Sequence, residues 1–257
     1  MIKNFELKIK NFILDTLFPI TCLTCGKDND WLCPECFSKI KVLDSQVCPY
    51  CEKMITDSGQ VCPSCREKIL RKDATIPLDN LIVASSYKEN NLSSLIHLYK
   101  YNFVRDLSVP LGQLLIKSIL QNNLPLPDII IPLPLHPRRL RWRGFNQSEL
   151  LANFISENIT PGLPIPVFSD LVVRKYYTKP QMKIKNYQER QKNIQNAFAL
   201  TPLKTPTAQN HSPFQNKSIL LIDDIATTGA TLIECAKILK TCDAKKVSAA
   251  VIARQQV

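Results

Sequence analysis

The sequence lacks the glycine-rich signatures of two large classes of nucleotide-binding protein. It contains no G-x-G-x-x-G motif, which argues against a dinucleotide site, and no G-K-[ST] triplet, which excludes a P-loop. Its three histidines, His97, His136 and His211, are scattered without metal-ligand spacing. No apolar run approaches the length of a membrane span.

The N-terminal segment, residues 1–18, also lacks the features of a secretory signal, since it has no small-residue cleavage site and carries Glu6 and Asp15. Its apolar residues recur at helical spacing, which predicts a packing helix, with a helix at a membrane surface as the alternative. Without an export signal, we expect a cytoplasmic protein.

Eight of the ten cysteines lie in the first quarter of the chain as four C-x-x-C pairs: Cys22/Cys25, Cys33/Cys36, Cys48/Cys51 and Cys62/Cys65. Two such pairs complete a tetrahedral site, so four pairs predict two zinc ions. Pairing in sequence order closes the shortest loops and costs the least closure entropy. Four sulfur ligands leave no open position for a substrate, which indicates structural rather than catalytic zinc.

Other uses of the cysteines are less favoured. Disulfides need an oxidising compartment, and redox C-x-x-C motifs occur singly beside a βαβ pattern. Cys235 and Cys242, near the C-terminal helix, are interpreted as small buried apolar residues.

The basic residues are clustered. The net charge is +11, from 33 basic and 22 acidic side chains. Arg138, Arg139, Arg141 and Arg143 surround Trp142, and residues 174–192 hold seven basic residues against one acidic residue. Such blocks favour polyanions, either a pyrophosphate or a nucleic-acid backbone, although a plain solvated basic face has the same composition.

Strand and helix patterns alternate from about residue 80 onward, which predicts a mostly parallel α/β sheet flanked by helices. We expect a small cysteine-rich unit at 1–72 and a larger unit at 73–257, itself divided into 73–127 and 128–257. Strands are predicted at 81–87, 128–133, 171–174, 219–222 and 247–253, and helices at 92–100, 107–120, 146–155, near 186 and at 232–240. Residues 202–216, rich in proline and small polar residues, predict a mobile loop.

The segment 219–231 combines a strand-like apolar run, two adjacent carboxylates, a hydroxyl-rich loop with one glycine, and a helix start. Loop hydroxyls and N–H groups bind a phosphate, and carboxylates accept sugar hydroxyls or hold hydrated magnesium. A phosphorylated sugar satisfies both halves. The simpler alternative is a polar turn in which Asp224 or Thr228 caps the next helix.

This segment closely resembles the phosphoribosyl pyrophosphate (PRPP) motif of type I phosphoribosyltransferases. The resemblance implies that Asp223 and Asp224 are the catalytic carboxylates and take the ribose 2- and 3-hydroxyls. It also implies that a PRPP loop wraps the 5-phosphate, formed by Ala226, Thr227, Thr228, Gly229, Ala230 and Thr231.

Two further segments extend the resemblance to nearly the whole chain. The string P-L-P-x-H-P-x-R-x-x-x-R-G-F-N-Q follows a predicted strand, and K-P-Q…R…N-x-x-x-A-F follows residue 178. Together with the acidic motif, the C-x-x-C opening and Leu98-Tyr99-Lys100-Tyr101, they are similar to the ComF family of bacterial late-competence proteins. The 202–216 insert departs from that pattern.

The ComF resemblance implies a type I phosphoribosyltransferase-like fold preceded by a double zinc ribbon, with two structural zinc ions, and magnesium accompanying PRPP. Residues 132–139 would form the pyrophosphate loop, and the candidates for binding pyrophosphate or another polyanion are Arg138, Arg139, Arg143, Lys179 and Arg190. The implied role is DNA uptake in natural transformation, with single-stranded DNA and uptake-machinery proteins as partners. A working phosphoribosyltransferase with an unidentified acceptor is the alternative.

Overall fold

The computed structural model describes residues 20–73, 75–177, 193–201 and 212–255. The predicted N-terminal helix, the helix near 186 and most of the 202–216 loop lie outside these ranges. The helices are α1 (Pro34–Ser38), α2 (Pro63–Leu70), α3 (Leu92–Tyr101), α4 (Ser108–Gln121), α5 (Pro137–Arg143), α6 (Gln147–Asn158) and α7 (Ala230–Lys240). The strands are β1 (Gln46–Val47), β2 (Ile55–Thr56), β3 (Asn80–Ser86), β4 (Ile129–Pro132), β5 (Val172–Arg174), β6 (Phe198–Leu200), β7 (Ser218–Ala226) and β8 (Lys246–Arg254).

A four-stranded sheet forms the centre of the molecule, in the order β3-β8-β7-β4, and its described pairings are all parallel. Its strands are almost fully buried, as expected when helices cover both faces of a parallel sheet. This confirms the predicted α/β fold. The long apolar runs at 219–222 and 247–253 form the two central strands.

Each strand sends alternate residues into two different cores. On β7, Leu220 and Ile222 join a core with α3, α4 and α6, whereas Ile219 and Leu221 join a second core with α7. The first core is tight where α4 meets α6. A Cβ on Gly112 would lie 2.3 Å from the Phe154 ring, so only glycine permits this approach.

The cysteine-rich module covers the free edge of β3. The Gln46 side chain donates to the Val83 carbonyl at 3.1 Å and accepts from the Val83 N–H at 2.9 Å, so it imitates a neighbouring strand. The Leu43 N–H donates to the Ala84 carbonyl at 2.9 Å in the same way. These contacts satisfy backbone groups that an exposed edge strand would leave unpaired.

Three details differ from the sequence-based expectations. Residues 137–143, expected in a loop, form helix α5, because Pro137 occupies the first helical position and Gly144 ends the helix with a φ of 76°. Strand β5 pairs antiparallel with β6 in a separate two-stranded sheet. Phe214, within the predicted mobile loop, is 1% exposed and anchors that end of the segment in the second core.

Candidate functional site

The acidic pair lies where the edge strand β4 separates from the central strand β7. Strand β4 pairs with β7 only as far as Pro132 opposite Ile222, and Leu133 then makes a last backbone bond to Ile222. Strand β8 continues to pair with β7 up to Ala226 opposite Arg254. The prediction that the strand ends at the carboxylates is therefore wrong. The two aspartates sit inside β7, but on the part of it that β4 has already left.

This gap opens into a cavity of about 490 Å³. The carboxyl ends of strands in an open α/β sheet are the usual position of a ligand crevice. The described walls include five basic side chains beside the two carboxylates: Lys100, Arg138, Arg139, Arg143 and Arg174. The excess of positive charge suits a ligand with several negative charges.

Lys100, at the end of α3, forms an ion pair with Asp224 across the cavity wall. Its Nζ lies 2.8 Å from Asp224 Oδ1, and the side chains are only 13% and 8% exposed. Both residues line the cavity, so a basic and an acidic side chain are in direct contact in its wall. One of the two carboxylates is thus already neutralised by the protein.

Asp223 is held by hydrogen bonds instead. Its Oδ1 accepts from the Ser148 hydroxyl at 3.0 Å and from the Asp224 N–H at 2.9 Å. Burial and the neighbouring Asp224 carboxylate raise the pKa of Asp223 to about 7, against the lowering effect of Lys100 and these hydrogen bonds. A ligand that donates hydroxyl hydrogen bonds would favour the ionised form.

The predicted PRPP loop follows β7 directly. Ala226, Thr227, Gly229 and Thr231 line the cavity, whereas Thr228 and Ala230 are buried. Gly229 precedes α7 with a φ of 70°, a left-handed conformation that favours glycine. The loop therefore delivers the first turn of α7 to the cavity, where helix N–H groups favour anions.

The four arginines of the 138–143 segment do not act alike. Arg138 and Arg139 lie 5.1 and 5.6 Å from the centre of the Tyr177 ring, and Arg143 donates to the Gln147 side chain at 2.9 Å. These three line the cavity, whereas Arg141 does not appear in its described lining. Lys179 and Arg190 lie outside the described residues.

The rest of the R-G-F-N-Q-S segment positions its neighbours. Asn146 caps α6 by accepting from the Ser148 N–H at 3.2 Å and reaches back to the Leu133 carbonyl at 3.1 Å. Gln147 exchanges hydrogen bonds with Tyr99 across to α3. The segment thus fixes α3, the end of β4 and Ser148 relative to one another.

An exposed aromatic cluster borders the cavity. Trp142 is 60% exposed, and its ring centre lies 5.4 Å from that of Phe103 and 6.4 Å from that of Tyr101. Arg143 lies 5.5 Å from the centre of the Tyr101 ring. Aromatic rings interleaved with arginines are typical of surfaces on which nucleic-acid bases stack.

Sequence reasoning missed three side chains of the site, namely Lys100, Ser148 and Arg174. Arg174 is 8% exposed, and its pKa falls to about 10 because of burial and repulsion from Arg139, so it stays protonated at neutral pH. Lys100 and Ser148 lie in segments that carried the family resemblance, but only the fold brings them to the acidic pair. Arg174 was counted only as part of a basic block.

The eight cysteines form two clusters, and the sequential pairing is confirmed. Cys22, Cys25, Cys33 and Cys36 form one, Cys48, Cys51, Cys62 and Cys65 the other, with all sulfurs of a cluster within 4.8 Å of one another. Both second pairs begin at a helix N-terminus followed by proline. The Met54 N–H is the main cause that lowers the pKa of Cys51 to about 6. Four clustered thiols of this kind fit tetrahedral zinc.

Cys235 is fully buried in α7, as expected of an apolar residue, and burial raises its pKa to about 12. Among the described helices, none has the length and apolar content that a membrane crossing requires.

Comparison with known proteins matches two family models. Residues 146–257 match the phosphoribosyl transferase domain, and residues 13–66 match the double zinc ribbon domain. A solved structure, the purine phosphoribosyltransferase from Pyrococcus horikoshii Ot3, is similar over 57% of this chain and 84% of its own, with 16% identity and a TM-score of 0.32.

Bacterial relatives match over most of the chain. Competence protein F of Haemophilus influenzae is 28% identical over 235 residues, which cover 86% of this chain and 96% of that protein. The DNA utilization protein YhgH of Shigella flexneri is 31% identical over 212 residues, 81% of this chain and 83% of that protein. Competence protein ComFC of Bacillus subtilis is 24% identical over 226 residues, covering 83% and 79%. The chain belongs to the ComF family, which joins a double zinc ribbon to a phosphoribosyl transferase domain.

Proposed function

We propose that this protein binds PRPP in the cavity beside β7 and takes part in the handling of incoming single-stranded DNA during natural transformation. The observation that carries the proposal is the meeting of three elements in one cavity of about 490 Å³: two carboxylates, a phosphate-sized loop and five basic side chains. Each matches one part of PRPP, namely the ribose hydroxyls, the 5-phosphate and the pyrophosphate. The DNA role is proposed from the names of the relatives, competence protein F and DNA utilization protein YhgH.

In this proposal different residues of the chain bind different parts of PRPP. Asp223 and Asp224 accept the ribose hydroxyls, and the hydroxyl-rich loop with the first turn of α7 holds the 5-phosphate. Arg138, Arg139 and Arg174, which also line the cavity, bind the pyrophosphate in this proposal. The carboxylate oxygens also fit a magnesium ion that accompanies PRPP, which would neutralise pyrophosphate charge.

Calorimetric titration with PRPP and magnesium tests the site. The Asp223→Asn/Asp224→Asn variant removes negative charge from the cavity, so electrostatics alone predicts tighter binding of this anion. If the carboxylates accept ribose hydroxyls, binding is instead weakened at least about tenfold. Asp170→Asn, an exposed carboxylate that does not line the cavity, is the matched control. Equal or tighter binding by the double variant would refute the assignment.

The DNA role is tested separately by fluorescence anisotropy with a labelled oligothymidylate. The basic residues and the Trp142 cluster predict binding that weakens steeply between low and moderate salt. Affinity that is independent of salt would contradict phosphate contacts, and no measurable binding at low salt would remove single-stranded DNA as a direct partner.

The alternative function is transfer of the phosphoribosyl group to an acceptor with release of pyrophosphate. The buried cation Arg174 beside the acidic pair favours it, because cations there would stabilise the leaving group. Pyrophosphate release that rises above hydrolysis by water when an acceptor is added would identify this activity.

A further inference from the structure

The second cysteine loop, residues 48–51, reaches the base of the predicted PRPP loop. A Cβ on Gly229 would lie 3.9 Å from the Pro49 carbonyl and 3.8 Å from Arg254 Nη2. The loop after β7 therefore meets both the N-terminal cysteine module and the last residue of β8.

Arg254 bridges these two parts of the molecule. Its Nη2 lies 2.8 Å from Glu52 Oε1, and its Nε donates to the Thr227 carbonyl at 3.0 Å. The Arg254 side chain is 9% exposed and that of Glu52 is 36% exposed. Because one planar guanidinium makes both the ion pair with Glu52 and the hydrogen bond to Thr227, the position of the Glu52 carboxylate helps to hold the group that donates to Thr227.

The bond to the Thr227 carbonyl orients the backbone of the phosphate loop. In a planar trans peptide the carbonyl and the following N–H point in opposite directions, so holding the Thr227 carbonyl fixes the direction of the Thr228 N–H. The preceding carbonyl, that of Ala226, accepts from the Gln255 N–H at 2.9 Å. Two successive peptides at the entry to the loop are thus held by the end of β8. Arg254 itself does not line the described cavity, whereas Thr227 and Gly229 do.

The position of Glu52 depends on the second cysteine cluster. Glu52 follows Cys51 directly, adopts a left-handed φ of 58°, and donates its N–H to the Cys48 carbonyl at 3.0 Å. A metal ion bound by Cys48 and Cys51 would fix the turn that presents the Glu52 carboxylate to Arg254. The second cluster is therefore connected to the Thr227 carbonyl through two side chains, Glu52 and Arg254.

We propose that Arg254 is a positioning residue for the sugar-phosphate loop, and that Glu52 couples its orientation to the second four-cysteine cluster. Metal binding at that cluster and binding of a 5-phosphate group at the loop then strengthen each other, since coupling between two sites is reciprocal. This inference rests on the proposed PRPP site. Arg254 acts through the backbone of Thr227 and not by contact with the ligand.

Affinity measurements on zinc-loaded protein test the coupling. The probes are ribose 5-phosphate, which carries only the 5-phosphate end, and inorganic pyrophosphate, which would bind on the arginine side. We expect Glu52→Ala and Arg254→Lys each to weaken ribose 5-phosphate about five- to tenfold and to leave pyrophosphate within about twofold. The double variant should be no weaker than the worse single variant, because both act on one contact. Glu67→Ala, an exposed carboxylate in the same module, is the matched control.

A second readout uses the zinc. Ribose 5-phosphate should slow the release of one of two zinc ions to a colorimetric chelator in the native protein and in Glu67→Ala, but not in Glu52→Ala. Unchanged ribose 5-phosphate affinity in Glu52→Ala would overturn the proposal. So would equal weakening of both probes, or additive losses in the double variant.

If the native protein binds neither ribose 5-phosphate nor PRPP, that result refutes the proposed function instead. The positioning role is then decided by hydrogen exchange on ligand-free protein, at peptides that cover residues 226–233. Faster exchange there in Glu52→Ala than in Glu67→Ala supports it, and identical exchange overturns it.

Discussion

Removal of the Lys100 side chain should destabilise the acidic pair and through it the whole fold. Lys100 Nζ lies 2.8 Å from Asp224 Oδ1, and both side chains are largely buried. In Lys100→Met the stem of the side chain is retained, but two adjacent carboxylates are left without this counter-charge. The variant therefore isolates the electrostatic contribution of the lysine from its packing.

The magnitude follows from the distance and the burial. At 2.8 Å and an effective dielectric constant of about 20, the attraction is about 6 kcal/mol before the cost of desolvating the ammonium group is subtracted. Breaking a buried ion pair by removing one partner typically costs about 3–5 kcal/mol. Because the cavity admits water beside Asp224, we expect the lower end, about 3 kcal/mol near pH 8. The loss should be smaller near pH 6, because Lys100 lowers the pKa of Asp223 and its removal lets that carboxyl group take up a proton more readily.

Urea denaturation of the zinc-loaded protein at both pH values measures this loss. Adding Asp224→Asn to Lys100→Met should restore about 2 kcal/mol or more, since the uncompensated charge is then gone. Lys117→Met, on the exposed side of α4, is the control and should change the free energy of unfolding by less than about 0.5 kcal/mol. A Lys100→Met loss no larger than that of the control, or strictly additive effects of the two substitutions, would refute the reasoning.

Three further predictions concern other parts of the site. Burial raises the pKa of Asp223 to about 7, above its unfolded value near 4, so its contribution to stability is complete only below about pH 4 and is lost progressively as the pH rises to about 7. Asp223→Asn, which still accepts the Ser148 hydrogen bond, should thus raise the free energy of unfolding by about 2 kcal/mol more near pH 8 than near pH 5.5, measured by urea denaturation; equal effects at both would contradict this. Metal analysis should find two zinc equivalents in the native protein and one in Cys25→Ser. Trp142→Ala should weaken oligothymidylate about tenfold without weakening PRPP, as measured by anisotropy and calorimetry.

The parts of the molecule that sequence predicted well are those whose interactions are local. The C-x-x-C spacing places two sulfurs on one turn, and short loops join successive pairs, so the two clusters followed from spacing alone. Residues 219–222 and 247–253 are mostly apolar over a strand's length, which predicts buried strands. The acidic pair and the loop after it are contiguous in the chain, so the motif identified the centre of the site.

The parts that sequence did not predict depend on partners far away in the chain. Aspartate is a poor strand former, so the carboxylates looked like the end of β7, but pairing with β8 carries that strand on to Ala226. The sequence does not show that Lys100 pairs with Asp224, because only the packing of α3 against the sheet brings the two side chains together. Helix α5 had a signature that could have been recognised, namely Pro137 at its start and Gly144 after its end.

The same dependence explains why the phosphoribosyl transferase segment alone is not a complete site. Lys100 belongs to α3, ahead of residues 146–257 that match that domain, and Arg254 takes its partner Glu52 from the zinc ribbon. Arg143 and the Trp142 cluster also precede the matched segment. The carboxylates, the phosphate loop and Arg254 come from the matched segment, whereas the counter-charge Lys100, three of the four cavity arginines and the Glu52 partner of Arg254 come from residues before it. The ribbon therefore contributes to the site through Glu52, and the segment between the two matched domains contributes Lys100 and three arginines.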